Sequence, residues 1–388
     1  MRIVAAKAQT VRLGAAARSS SISFEDMTAT ALAIHTDVNR DGKALVGLAF
    51  DSIGRYDHSG LLNDRFIPRL LAADPQDYAG EDGGIDPSRV WAVLMKNEKP
   101  GGHGERCGAV GLIDAAIWDL AAKHLELPLW RYLSKIEPSK NNGSGVADVY
   151  ASGGHYRPHN DVESLCDDVR RAMADGHQRF KIKIGGAALS ADLKRIEAVL
   201  QILEPQMSLA VDGNNGFDLA TALNYVQALG AYPLMWIEEP VNPLDYDSHR
   251  IVSEQSSLPL AVGENLFSAD DARNLLRYGG LRRDRDMLQF DISLSYGIVE
   301  YRRILDDLSE RGWARSRCAP HAGHVLALSA VAGFGLGLAE LAMDTTTLFG
   351  KLTSHVKVGD GKATLPEAPG AGLEASPVYA EIFGGLVH

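Results

Sequence analysis

The chain has 388 residues, 45% hydrophobic and 23% charged, the balance of an ordinary soluble globular protein and long enough for a barrel of about 200 residues plus a second unit. Its formal net charge of -11 argues against nucleic acid and anionic membrane surfaces as partners. Cys107, Cys166 and Cys318 are odd in number with no paired spacing, which predicts reduced thiols. With no run of about 18 apolar residues and no apolar segment before a cleavage site near Met1, a cytoplasmic protein is expected.

In chain order, Arg2 to Leu13, Thr30 to Asp37 and Lys43 to Phe50 alternate in strand fashion and predict an antiparallel meander. Two loops of this first unit, one linking the first strands and one following the third, are candidates for function. Gly14 to Ser23 consists mostly of small residues, and Asp51 to Gly60 carries Arg55, Tyr56, Asp57 and His58; an ordinary surface connection is the alternative for each. Helical periodicity follows at Leu61 to Leu71, Ser88 to Met95 and Val110 to Leu125, the last with Val110, Ile113, Ile117, Leu120 and Ala121 on one face. Before it, the glycine-rich stretch Lys99 to Arg106 would let Lys99 or His103 meet a distal carboxylate, unless it is only a helix-entry loop. Strands followed by helices predict an α+β unit over 1–140, ended by the breaker-rich linker Glu137 to Gly145.

From about Asp148 the pattern changes. Short apolar runs ending in a chemical residue lead to Lys183, Asp212, Glu238, Glu264, Asp291 and His321, at steps of 29, 26, 26, 27 and 30 residues. Helical segments such as Ala191 to Leu203, Leu219 to Leu229 and Ala269 to Leu276 fill the gaps. A strand-loop-helix repeat sustained this long predicts a closed (β/α)8 barrel over 146–350, its last strand within Phe334 to Met343 with Glu340 near its end. All these reactive residues lie at carboxyl ends of strands, which in a barrel is the mouth where loops converge.

The residue types then suggest chemistry. Three carboxylates at neighbouring strand ends, Asp212, Glu238 and Glu264, repel one another unless a cation holds them, and an all-oxygen set selects a hard ion such as Mg²⁺. Lys181 and Lys183 lie two apart on one strand and so share a face. Mutual repulsion and a nearby divalent cation would lower a lysine pKa, making Lys183 a candidate general base and Lys181 a group that polarises a substrate carboxylate. Asp291 can fix the tautomer of His321, leaving the other ring nitrogen to donate a proton. His324 has no such partner and is expected to be structural. A metal-stabilised barrel serving only to bind is the non-enzymatic alternative.

Lys-x-Lys, Val-Asp-Gly-Asn, Ile-Glu-Glu-Pro, Gly-Glu-Asn, Gln-x-Asp and Pro-His-x-Gly-His occur in this order at 181–183, 211–214, 237–240, 263–265, 289–291 and 320–324. Together they resemble the enolase superfamily, mandelate racemase subgroup. The segments 97–106, 274–280 and 294–297 are similar to the tartrate dehydratases within it. The resemblance implies that the two loops of the first unit close over the barrel mouth and select the substrate, and that the tail 351–388 packs back onto that unit. It also implies that Asn214, Glu340, Arg55, Tyr56 and Lys99 contact a small acid-sugar substrate and that the protein is a homo-oligomer. The implied reaction is removal of the proton next to a carboxylate and loss of the β-hydroxyl, as in D-tartrate to oxaloacetate; a racemase acting at the α-carbon is the alternative. Ile53 stands where the tartrate enzymes carry asparagine, and the loop Arg18 to Ser23 and the segment after Glu340 also depart.

Overall fold

A computed structural model describes residues 1–14, 22–40, 42–137 and 143–388. The meander forms as three antiparallel strands in the order β1 (Ile3–Arg12), β2 (Thr28–Arg40), β3 (Lys43–Phe50). The centre of β2, Ala31 to Ile34, is fully buried, so β2 is longer than its apolar run suggested while its ends stay polar. The predicted helix over 61–71 is broken. A short helix, Ser59–Leu61, passes into a widened turn in which Ile67 N donates to the Leu62 carbonyl, and Ile67–Leu71 resumes beyond it. Pro68 has no amide to continue the regular ladder, which accounts for a wide turn just before it.

The helix Arg106–His124 lies between the meander and the barrel. Its stripe predicts one buried face, yet every residue from Arg106 to Lys123 is buried, because β3 covers one side and the segment after Asp291 covers the other. Leu48 N donates to Asp119 at 2.9 Å and Ile298 N donates to Asp114 at 2.5 Å. At Gly111 the helix touches the barrel so closely that a Cβ would lie 1.7 Å from the Ser293 carbonyl oxygen. That atom is backbone and cannot rotate away. Gly111→Ala is therefore expected to cost about 2 kcal/mol through overpacking, read as a lower urea midpoint; an unchanged midpoint would contradict the close approach.

The barrel strands are parallel and ordered β4 (Val146–Gly153), β5 (Arg179–Lys183), β6 (Ser208–Asp212), β7 (Leu234–Glu238), β8 (Leu260–Val262) and β9 (Met287–Leu288). The seventh position holds only a bridge from Leu288 to Cys318, and the eighth is β10 (Ala339–Ala342), which closes the ring by pairing with β4. Most of the run from Phe334 is thus not strand: Phe334 ends the helix His324–Phe334, and Gly335 at φ 67° caps it. Inside the ring, Tyr150, Ala210, Trp236, Ala261, Met287 and Ala319 form a separate apolar layer, with the Tyr150 and Trp236 rings edge to face at 5.3 Å. This layer is the floor beneath the mouth.

The tail meets the barrel as well as the first unit. The hairpin β11 (Lys357–Gly359) and β12 (Lys362–Thr364) pairs antiparallel with the start of β4. Farther on, Gln9 Nε2 donates to the Ile382 carbonyl at 2.7 Å and His35 Nε2 meets the Leu386 carbonyl at 2.8 Å. An α+β cap therefore shares the tail with a (β/α)8 barrel. No helix among the described residues is long and apolar enough to cross a membrane.

Candidate active site

Strand register sets the site. Lys183 pairs with Asp212, and Asp212 with Glu238, so three successive strand ends present a row of side chains at the mouth. Glu264 follows β8 by two residues, and its carboxylate completes a group with Asp212 and Glu238 in which one oxygen of each lies within 4.8 Å of the others. Asp212 and Glu238 are fully buried. Burial and the Asp212 charge push the Glu238 pKa up to about 8, whereas Lys183 and Lys181 outweigh burial at Asp212 and hold it at about 2. Three buried acids in such conflict, offering only oxygen donors, fit a hard divalent cation.

The two lysines answer part of that charge. Lys183 Nζ donates to Asp212 at 2.5 Å. Lys181 Nζ donates to Glu238 and lies 3.0 Å from Glu340 and 3.6 Å from Asp212. Burial disfavours its charge, but Glu238 and Glu340 outweigh that and raise its pKa well above the ordinary value. The carboxylates around it hold the ammonium. Glu238 also accepts from Trp236 Nε1 at 2.9 Å and Gln289 Nε2 at 2.7 Å. Its neighbour Glu239 turns away at φ 40° and accepts from Gly263 N at 2.6 Å, supporting the Glu264 loop from behind.

Across the mouth, His321 Nδ1 meets Asp291 Oδ2 at 2.9 Å, leaving Nε2 3.7 Å from Glu264. Burial works against the charged ring, yet Glu264, the Asp291 hydrogen bond and Glu340 prevail and raise its pKa to about 9. With Nδ1 held by Asp291, Nε2 is the ring nitrogen left to donate a proton. His324 instead meets the Phe50 carbonyl through Nε2 at 2.9 Å, and burial lowers its pKa to about 4.

A cavity of about 220 Å³ opens above these groups. Lys183, Asn214, Glu264, His321, Glu340 and Arg55 line it. Asn214 N also donates to Asp212 at 2.8 Å, Glu340 accepts from Ala322 N at 2.8 Å, and Arg55 bonds Asn265 at 2.7 Å with its guanidinium 5.0 Å from the Phe267 ring centre. Lys99 and Tyr56 are not brought in: both are exposed and neither is among the lining residues. The Lys99 carbonyl accepts from Arg106, and His103 bonds Asp271 at 2.8 Å and Tyr296 at 3.0 Å. That loop fastens the cap to the barrel. Of the first candidate loop, 15–21 lie outside the described residues, while Leu13, Ile22 and Phe24 on either side form part of the cavity wall with Ile53.

Four contributors were not singled out from sequence. Gln289 sits one alternation before Asp291, so the strand period could have placed it inward. Glu239 is the second acid of Glu-Glu-Pro, and only the backbone turn tells the two apart. His155, after β4, lines the cavity edge to face with Phe24 at 5.7 Å, and burial with the Lys183 charge lowers its pKa to about 4. Ser52 Oγ donates to Asp291 Oδ2.

The chain matches the family described as enolase C-terminal domain-like over residues 164–378. L-talarate/galactarate dehydratase of Salmonella typhimurium is 28% identical over 299 residues, 76% of this chain and 68% of that protein. The 3,6-anhydro-alpha-L-galactonate cycloisomerase of Streptomyces coelicolor is 28% identical over 314 residues, 78% of this chain and 77% of that protein. L-talarate dehydratase from Polaromonas sp. JS666, solved with Mg and L-glucarate, superposes with a TM-score of 0.75 at 23% identity over 97% of both chains. Since the family match spans more than half of a chain folded as a cap and (β/α)8 barrel, this protein belongs to the enolase superfamily.

Proposed function

We propose that the protein is a Mg²⁺-dependent dehydratase of acid sugars, converting a 2,3-dihydroxy acid to a 2-keto acid. The observation that carries the reading is the placement of an amine, Lys183, and a hydrogen-bonded His321–Asp291 pair on opposite flanks of one three-carboxylate cluster. Asp212, Glu238 and Glu264 would hold the cation, which when bound supplies Lewis-acid stabilisation of charge developing on the substrate carboxylate. Lys183 is the base that takes the proton from the α-carbon. The Lys181 ammonium, held in place by Glu238 and Glu340, donates to a carboxylate oxygen as negative charge grows there. His321 gives its Nε2 proton to the departing β-hydroxyl, so water leaves and the enol that remains becomes the keto acid. Asp291 holds the ring through Nδ1, which leaves Nε2 to face the departing group.

The relatives named for talarate and galactarate support acid sugars as the substrate class. D-tartrate is the finer expectation, for which the distal carboxylate needs a cation. Arg55, beside Ile53 in the cavity wall, is the candidate for it among the described residues. A soluble, cytoplasmic homo-oligomer is part of the same reading. The test is a panel of acid sugars, D-tartrate, galactarate and L-talarate included, incubated with Mg²⁺ and assayed for 2-keto acid with semicarbazide. Keto acid from at least one member is expected. Mg²⁺ binding with no product from any would favour a binding barrel, and loss of optical rotation without keto acid would favour racemisation.

A further inference from the structure

We propose that Ser52 is a positioning residue for His321, completing a chain Ser52–Asp291–His321 that crosses from the cap to the barrel. Asp291 is fully buried, and its carboxylate is held at three points. Oδ1 accepts from Leu294 N at 2.8 Å, while Oδ2 accepts from Ser52 Oγ and meets His321 Nδ1 at 2.9 Å. The backbone amide fixes one oxygen; the Ser52 hydroxyl fixes the rotation of the other, and with it the lone pair turned to the imidazole. A carboxylate that orients a histidine works only as well as it is itself oriented.

The hydroxyl is delivered by a braced segment. Its neighbour Asp51 accepts from Thr30 N at 2.7 Å and bonds His58 Nδ1 at 3.0 Å. Burial disfavours the charged ring of His58, but its bonds to Asp51 and Glu105 outweigh that and raise its pKa to about 9. On the other side, the Phe50 carbonyl is held by His324 Nε2 at 2.9 Å. Ser52 is itself buried, so it reaches Asp291 from a rigid end of β3 and not from the exposed part of the loop, where Tyr56 lies. The capping unit thus supplies a hydrogen bond to the barrel's proton-handling pair as well as part of the cavity wall.

The kinetic part of this proposal rests on the dehydratase reading; the hydrogen-bonded arrangement does not. Both are tested in the full-length protein with Ser52→Ala and Ser52→Thr. In histidine-labelled NMR, with the signal assigned by its loss in His321→Asn, the His321 Nδ1 proton is expected to shift and broaden in Ser52→Ala and to recover in Ser52→Thr. With any acid the wild type dehydrates, Ser52→Ala should lower kcat at least about 10-fold with little change in KM. It should leave exchange of the substrate α-proton intact, because that proton belongs to Lys183. An unchanged Nδ1 signal in Ser52→Ala, or exchange lost as much as dehydration, overturns the proposal. If the signal moves and recovers as expected but the wild type acts on no acid, the positioning role stands and the dehydratase reading fails.

Discussion

Lys183→Ala is expected to abolish both exchange of the substrate α-proton with D₂O and dehydration, whereas His321→Asn keeps exchange and loses dehydration. Each loss should be at least about 10²-fold, the usual scale of general acid–base catalysis. The asymmetry follows from order: without a base the α-proton never leaves, while without the acid it leaves and returns but the hydroxyl stays. It requires that abstraction be reversible and that the lysine proton reach solvent before returning, which fits the place of Lys183 on the cavity wall. NMR of substrate recovered from D₂O decides the matter. Exchange retained in Lys183→Ala and lost in His321→Asn would reverse the roles, with the substrate presenting the opposite configuration at its α-carbon.

Glu238→Gln should lose Mg²⁺ and activity together. The substitution keeps volume but removes one of three charges, and it also sets an amide NH₂ among donors. Lys181, Trp236 Nε1 and Gln289 Nε2 all point at this carboxylate, and a glutamine can accept from them with only one oxygen. Loss of a group that merely orients a ligand already costs 10- to 100-fold in metal affinity, so loss of the ligand should cost at least about 10²-fold. Titration calorimetry with Mg²⁺, on protein shown by circular dichroism to be folded, reads this directly. Undiminished affinity would remove Glu238 from the metal site and with it the assignment of the cluster.

The barrel was legible because its signal is local. Each of Lys183, Asp212 and Glu238 ends an apolar run that is also a strand, and the period of two puts Lys181 on the same face as Lys183. The metal cluster was legible for the same reason, as three acids at matched positions of a repeat. What stayed hidden depends on partners far along the chain. The bond from Ser52 to Asp291 joins residues 239 apart, and nothing around Ser52 distinguishes it from another loop serine. Lys99 looked like a carboxylate contact because it is a cation among glycines, but that loop is occupied in fastening His103 and Arg106 to Tyr296 and their acidic partners. The stripe Val110, Ile113, Ile117, Leu120 and Ala121 predicts one buried face for helix Arg106–His124, which is buried all round. A period of 3.6 reports the best face, not how many neighbours a helix will have.

The tail described above also bears on how the chain is made. The residues that meet β1 and β2 through the bonds of Gln9 to Ile382 and His35 to Leu386 are synthesised after the barrel. A growing chain emerges amino end first and domains fold as units when complete. The repeat that forms the barrel is therefore available before the cap has its final docking partners. In that order of events the residues of the mouth are made before the tail that meets the cap. Removing the tail would therefore take a strand from beside β4 as well as two bonds from the cap sheet.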